Sequence, residues 1–165
     1  SIKIKYKPIL LGGLHNLHGI KAPAFIPAKA KHMIRDCKLI AEKNKIKFKF
    51  NSYFPIRSLN LMRGVLVAEE DNYKSYYIES IFNAIWQDGL NMNDENIIQK
   101  ILKNLNVNPK TFFLRSTSSS IKDSLKKRTS EAYEKGIFGA PSFGSNNKAF
   151  WGQDRIEFVL NESSK

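Results

Sequence analysis

The residues best suited by type and spacing to chemistry stand in Gly136-Ile137-Phe138-Gly139-Ala140-Pro141 and in Phe150-Trp151-Gly152-Gln153-Asp154-Arg155. A proline opening a short strand after a Gly-Ala step donates nothing to the ladder, and a cis bond there turns the backbone groups of Ala140 outward. Such groups can grip an extended peptide ligand by strand-like pairing. Asp154 at a helix start offers a carboxylate beside unbonded N–H groups, which suits a ligand carrying an amine next to a carboxylate. Spacing alone describes a turn proline and an ordinary helix cap just as well, and favours them.

Other reactive side chains are more scattered. His15 and His18 sit in a Gly-bearing stretch without carboxylates or thiolates around them, and His32 stands apart, so all three read as structural or surface residues rather than metal ligands. Cys37 is the single cysteine, which excludes an internal disulfide, a Cys-x-x-Cys pair and a multi-cysteine zinc site. Its place on an apolar helical face predicts buried packing. Arg57, Arg63 and Arg155 can each take a carboxylate in a two-pronged grip or pair with a neighbouring acid. Trp86, Trp151 and Phe54 can wall an aromatic site, with core packing the default for such residues.

These residues need elements to position them. Ile2, Ile4 and Tyr6 alternate with Lys3, Lys5 and Lys7, which predicts a strand over residues 2–10 ending in a turn at Gly12-Gly13. Residues 16–27 carry Gly19, Pro23 and Pro27 and read as an ordered loop. A helix follows Pro27, with Met33, Ile34, Cys37 and Ile40 at helical spacing and Asn44 as its stop, and residues 45–50 form a short strand or extended link. Ser58 reads as the cap of a helix whose face is Leu59, Met62, Val65 and Leu66. Residues 73–87 give the clearest helix, with Tyr77, Ile81, Ala84 and Ile85 in register. Asn93 or Asp94 caps the next, striped by Ile97, Ile98, Ile101, Leu102 and Leu105, and another follows Ser118 to Ser120. Past Gly136 two short antiparallel strands flank a turn at residues 145–148, and Asp154 heads a final helix with Ile156, Val159 and Leu160 toward the core.

Bulk properties set outer bounds. The 165 residues suffice for one domain, or a small domain with an insertion, and 42% hydrophobic with 12% aromatic residues disfavours wholesale disorder despite a net charge of +12. The longest apolar run, residues 8–14, is far short of a membrane span. Lysines ahead of that run mimic a signal peptide, but the run is too short and is broken by Gly12-Gly13, so no export signal is read. A pI near 9.8 favours anionic partners. The lysines are dispersed through Ile- and Asn-rich sequence, and no zinc, KH or RRM signature is present, so a nucleic-acid binder ranks last.

The run Pro8-Ile9-Leu10-Leu11-Gly12-Gly13-Leu14, the segment Pro23-Ala24-Phe25-Ile26-Pro27-Ala28-Lys29, Phe54-Pro55 with Ser58-Leu59, and the two C-terminal motifs above together resemble the 2-hydroxychromene-2-carboxylate isomerases. Those enzymes are glutathione-dependent relatives of kappa-class glutathione transferases, and the resemblance runs from about Lys3 to about Leu160. It implies an α/β, DsbA-like thioredoxin-like fold, incomplete at the N-terminus, with residues 1–30 and 126–165 as the thioredoxin-like part and residues 31–125 as an all-helical insertion. It implies glutathione as cofactor, held by Lys29, by Ala140 ahead of a cis Pro141, and by Gln153 and Asp154 at the γ-glutamyl end. Phe54, Arg57 and Trp151 would meet the substrate, an unsaturated aromatic carboxylate isomerised through a reversible glutathione adduct that leaves Cys37 uninvolved.

Two departures shape the expectation. The family has Gly-Asn where this chain has Gly19-Ile20, and the family's first strand with its catalytic Ser or Cys has no counterpart here. That residue is therefore expected upstream of Ser1, with the polypeptide continuing there or another copy supplying the strand. A cytoplasmic homodimer, bound neither to nucleic acid nor to membrane, is the accompanying expectation. The alternative is a non-catalytic thioredoxin-like module that binds thiols or peptides without turnover.

Overall fold

The computed structural model describes residues 3–164, and these fall into two units. A terminal unit comprises Ser1–Ile20 and Leu125–Lys165, and a central unit comprises Lys21–Ser124.

The central unit is built from helices: a 3-10 turn at Pro23–Phe25, α2 (Pro27–Lys43), α3 (Leu59–Glu70), α4 (Lys74–Trp86), α5 (Glu95–Asn104), α6 (Pro109–Ser116) and the start of α7 (Ser119–Glu134). α2 begins with proline at its first position, where the missing N–H is no loss, and stops at Asn44 as its spacing predicts. The α4 face of Tyr77, Ile81, Ala84 and Ile85 is buried throughout. α3 turns Leu61, Val65, Leu66, Val67 and Ala68 inward; of the expected face Val65 and Leu66 are buried, Met62 is half-buried and Leu59 is 36% exposed. α3 packs on α4 and α6, and α5 touches both of those helices, so Leu102 and Phe112 complete the core. Arg115 of α6 holds the C-terminal end of α3 with a fork to Glu70 (2.6 Å) and Asp71 (2.5 Å), which raises the guanidinium pKa, chiefly through the Asp71 bond.

Caps account for the helix starts. Of the two expected caps it is Asp94 whose carboxylate accepts from the Asn96 N–H at 2.9 Å, and Asn108 accepts from the Thr111 N–H at 3.1 Å to open α6, which the pattern reading passed over. Ser58 precedes α3 but makes no side-chain cap bond. Residues 45–50 are the extended link and not a strand.

The terminal unit contains α1 (Leu11–His18), the end of α7, β1 (Ser142–Ser145), β2 (Lys148–Trp151), a 3-10 turn at Gln153–Arg155 and α8 (Ile156–Ser163). The hairpin is the expected one: Ser145 pairs with Lys148, and Asn146 and Asn147 both take positive φ (47° and 60°), which matches the twist of a two-residue loop. α8 packs across both strands. Its nearly buried Glu162 accepts from Lys148 Nζ at 2.9 Å, and its carbonyl accepts from Asn146 Nδ2 at 2.8 Å.

Three expectations for this unit are corrected. Residues 3–10 form no strand, because alternation becomes a strand only with a partner to pair with, and Ile4 is 62% exposed. Ile2 lies outside the described residues. Gly12-Gly13 is not a turn: the Leu11–His18 helix runs through it, ends at Gly19 (φ 65°) and takes the first residues of the expected loop. On α8, Ile156 and Leu160 are more than 40% exposed and do not face a core.

The N-terminal segment is tied down elsewhere. Leu10 N–H donates to Thr129 Oγ1 at 3.0 Å, and that hydroxyl donates to the Leu125 carbonyl at 2.8 Å. Thr129→Val keeps the shape but strands the amide, so a loss of about 1–2 kcal/mol is expected. Urea unfolding read by Trp151 fluorescence checks it, and a wild-type midpoint refutes it.

Candidate functional site

Helix α7 ends in two bonds that turn the chain back: Gly136 N–H donates to the Tyr133 carbonyl at 2.9 Å and Ile137 N–H to that of Ala132 at 3.0 Å. The following segment carries a cis bond at Ala140–Pro141 and delivers the chain to β1. At the other end of the hairpin, Gly152 N–H donates to the Pro141 carbonyl at 3.0 Å. This bond brings Ala140-Pro141 beside Gly152-Gln153-Asp154, two segments that the sequence separates by a whole hairpin. Ser142 Oγ donates to the Gly139 carbonyl at 2.6 Å and fixes the bend from inside. Ala140 itself is exposed, and among the described residues neither its N–H nor its C=O has a hydrogen-bond partner. It leaves a donor and an acceptor open at the head of a strand, as an extended ligand requires.

Gly152 carries φ 102°, and a Cβ there would run into Oδ1 of Asp154. Only glycine allows this carboxylate to fold back over the chain. Its other oxygen accepts from Arg155 Nη1 at 2.8 Å. Both side chains are more than half exposed, so the pair contributes little and the carboxylate can exchange its partner for a ligand ammonium. One expectation needs correction: Asp154 belongs to the short 3-10 turn and Arg155 occupies the cap position of α8. The Asp154 side chain is thus the available group, without a helix N-terminus behind it. Gln153 is exposed beside it, and Trp151 is 56% exposed with its indole 5.1 Å from the Phe138 ring.

The remaining candidates belong to the central unit. Lys29 is exposed in the first turn of α2. Phe54 is half-buried, with its ring 5.5 Å from Phe50 and 5.9 Å from Trp86. That is the packed aromatic cluster such residues form by default. Arg57 is exposed and its N–H donates to Asn93 Oδ1 at 3.1 Å. Arg63 is half-buried in α3, with Nη1 3.5 Å from Asn60 Oδ1. Cys37 is exposed rather than packed away, because its α2 face has little laid over it. Partial burial, then the neighbouring Asp36 charge, push its thiol pKa up, which favours the unreactive protonated form. Burial also pushes the Tyr73 hydroxyl up to about 12, followed by the Asp71 charge, so it stays a neutral phenol.

One contact of the terminal unit escaped the sequence reading, which took His18 as a structural or surface residue. His18 Nε2 lies 2.9 Å from the Ile137 carbonyl, and its ring is 4.5 Å from that of Tyr133. No local pattern signals this, since the partner stands 119 positions away.

Among the described residues no group of three or more His, Cys, Asp or Glu is placed to hold a metal, and no helix is long and apolar enough to cross a membrane. Comparison with known proteins gives a consistent result. The family described as the DSBA-like thioredoxin domain matches residues 1–163. The 2-hydroxychromene-2-carboxylate isomerase of Sphingobium xenophagum is 24% identical over 160 residues, covering 94% of this chain and 80% of the relative. The enzyme of the same name from Pseudomonas putida is 23% identical over 162 residues, covering 97% of this chain and 78% of the relative. A solved 2-hydroxychromene-2-carboxylate isomerase superposes with a TM-score of 0.85 at 19% identity, over 95% of this chain and 77% of that one, which shows a shared fold.

Proposed function

The chain belongs to the DSBA-like thioredoxin domain family, and on that premise we propose that it is a glutathione-dependent isomerase of the 2-hydroxychromene-2-carboxylate type. The observation that carries the reading is the Gly152 to Pro141 bond, which brings the segment of the open Ala140 backbone beside the segment that carries Asp154. Relatives named 2-hydroxychromene-2-carboxylate isomerase, similar along nearly the whole chain, support the reaction type.

The residues present fit the tripeptide. The free N–H and C=O of Ala140 would pair with the peptide-like cysteinyl unit, and Asp154 with Gln153 would take the γ-glutamyl ammonium and carboxylate. Trp151, exposed in the same unit, would meet the aromatic ring of the substrate; the roles of Lys29 at the glycyl end and of Phe54 and Arg57 toward the substrate rest on the family resemblance alone. When bound, glutathione would supply a thiol for reversible addition to the unsaturated acid and its later release unchanged, so that the isomerisation would need no net oxidant or reductant. The protein's own contribution would be to orient the tripeptide by backbone pairing and to anchor its ammonium at Asp154.

Asp154→Ala is expected to weaken glutathione binding about tenfold, the scale of one charge-assisted hydrogen bond at a half-exposed site. Calorimetric titration measures this. Consumption of 2-hydroxychromene-2-carboxylate, followed by absorbance with and without glutathione, tests the reaction. Failure of the wild-type chain to bind glutathione removes the reading.

One observation favours a second reading, a thiol- or peptide-binding module without turnover. The hydroxyl nearest in sequence to Ala140, on Ser142, is committed to the Gly139 carbonyl and is not poised for chemistry. Glutathione binding without any effect on the chromene acid would select it.

A further inference from the structure

We propose that His18 is a positioning residue of the candidate site: it ties the end of α1 to the carbonyl of Ile137 and so sets the segment that presents the Ala140 backbone. The inference deepens the glutathione reading and rests on it for its binding consequence.

The segment between α7 and β1 has few anchors. Its start is fixed by the Ile137 N–H to Ala132 carbonyl bond and its far end by the Gly152 N–H to Pro141 carbonyl bond. Between them the Ser142 to Gly139 bond is internal to the bend. From outside, the Trp151 ring packs on Phe138, and the hydrogen bond comes from His18 Nε2 to the Ile137 carbonyl at 2.9 Å. His18 can serve as a fixed post because its own surroundings are rigid. It is the last residue of α1, and the turn after it is closed by Gly19 N–H to the Asn16 carbonyl (3.2 Å) and Ile20 N–H to that of His15 (2.8 Å). Tyr133, from the last turns of α7, packs on the ring and limits its rotation. Both ends of the tie are thus held, and a carbonyl three residues before Ala140 is pinned to a helix 119 positions away. Segments with few anchors open locally, so removal of one tie is felt first within the segment.

His18→Phe keeps a ring against Tyr133 and deletes the donor; His18→Gln restores a donor without the ring. In His18→Phe, amide exchange at Ile137 and Gly152 is expected to rise roughly fivefold, the factor of one net hydrogen bond, while exchange in α4 stays at the wild-type rate. Glutathione affinity falls by a similar roughly fivefold factor, and His18→Gln recovers most of both changes. A residue that merely supports the fold would lower the melting point and speed exchange throughout the terminal unit without this rescue. Wild-type exchange at Ile137 and Gly152 in a folded His18→Phe variant overturns the proposal, as does faster exchange with unchanged glutathione affinity. Should that variant not fold, the imidazole nitrogen spectrum of the wild-type protein decides. A proton on Nε2 is expected, and a ring protonated at Nδ1 alone refutes the tie. A wild-type chain that does not bind glutathione defeats the functional reading instead, and the exchange and tautomer arms still judge His18.

Discussion

Asn51→Leu is expected to destabilise the central unit by about 3–5 kcal/mol, the largest single effect foreseen for this chain. Asn51 is fully buried and serves three backbone groups at once. Its Nδ2 donates to the carbonyls of Ile85 (3.0 Å) and Leu90 (2.9 Å), and its Oδ1 accepts from the Tyr53 N–H at 2.8 Å. The first carbonyl belongs to the last turn of α4 and the second to the loop beyond it, so one side chain stitches the extended link to a helix end. Leucine has the same branching and leaves no cavity; the loss comes chiefly from three polar groups left dry, with its bulkier methyls adding some overpacking. Urea unfolding followed through Trp86 fluorescence, in a Trp151→Phe background, measures it. A loss below about 1 kcal/mol means that water reaches these groups, and the account fails.

Gly64→Ala is expected to cost about 3 kcal/mol although alanine favours a helix by about 1 kcal/mol. A Cβ at this point of α3 would collide with the Tyr77 hydroxyl and lie 2.6 Å from Cζ of Phe112. Both rings are almost wholly buried, their centroids are 5.5 Å apart, and the Tyr77 hydroxyl is held by the Leu61 carbonyl at 3.3 Å, so neither can withdraw freely. Overpacking of this kind displaces a ring and breaks its bond. Tyr77→Phe removes the atom nearest the added methyl. The double variant is therefore expected to be more stable than the sum of the single changes predicts, by about 1 kcal/mol or more. Strict additivity in a double-mutant cycle would show that the methyl finds room elsewhere.

Both effects arise at residues that pattern reading passes over. Asn51 stands between Phe50 and Ser52 and looks like a loop residue. Its value comes from where the end of α4 happens to lie. Gly64 inside a helical stripe reads as a slight weakness, and only the crossing of α3 with α4 and α6 turns it into a requirement. The misread N-terminal segment has the converse cause. Ile-Lys alternation over residues 3–7 fits a strand, yet no described strand pairs with it, and Gly12-Gly13 is carried inside α1 because the Leu10 to Thr129 tie and the burial of Leu14 outweigh weak helix propensity. α6 had a readable start in Asn108-Pro109, a capping side chain followed by a proline at the first helical position.

By itself the sequence determined what depends on neighbours a few positions apart. The stripe of α4, the stop of α2 at Asn44, the Asp94 cap, the Asn146-Asn147 hairpin and the ordered motifs of the thioredoxin-like family were all legible, since helical period, caps and turns are local physics. The tertiary structure alone decided which distant groups meet: Gly152 with Pro141, Asn51 with Ile85 and Leu90, His18 with Ile137. It also decided that Asp154 lies in a short 3-10 turn and not at the start of α8, and that Cys37 is exposed. Such pairings follow from the path of the whole chain, because a buried donor takes whichever acceptor folding brings within about 3 Å, and no local preference encodes that choice.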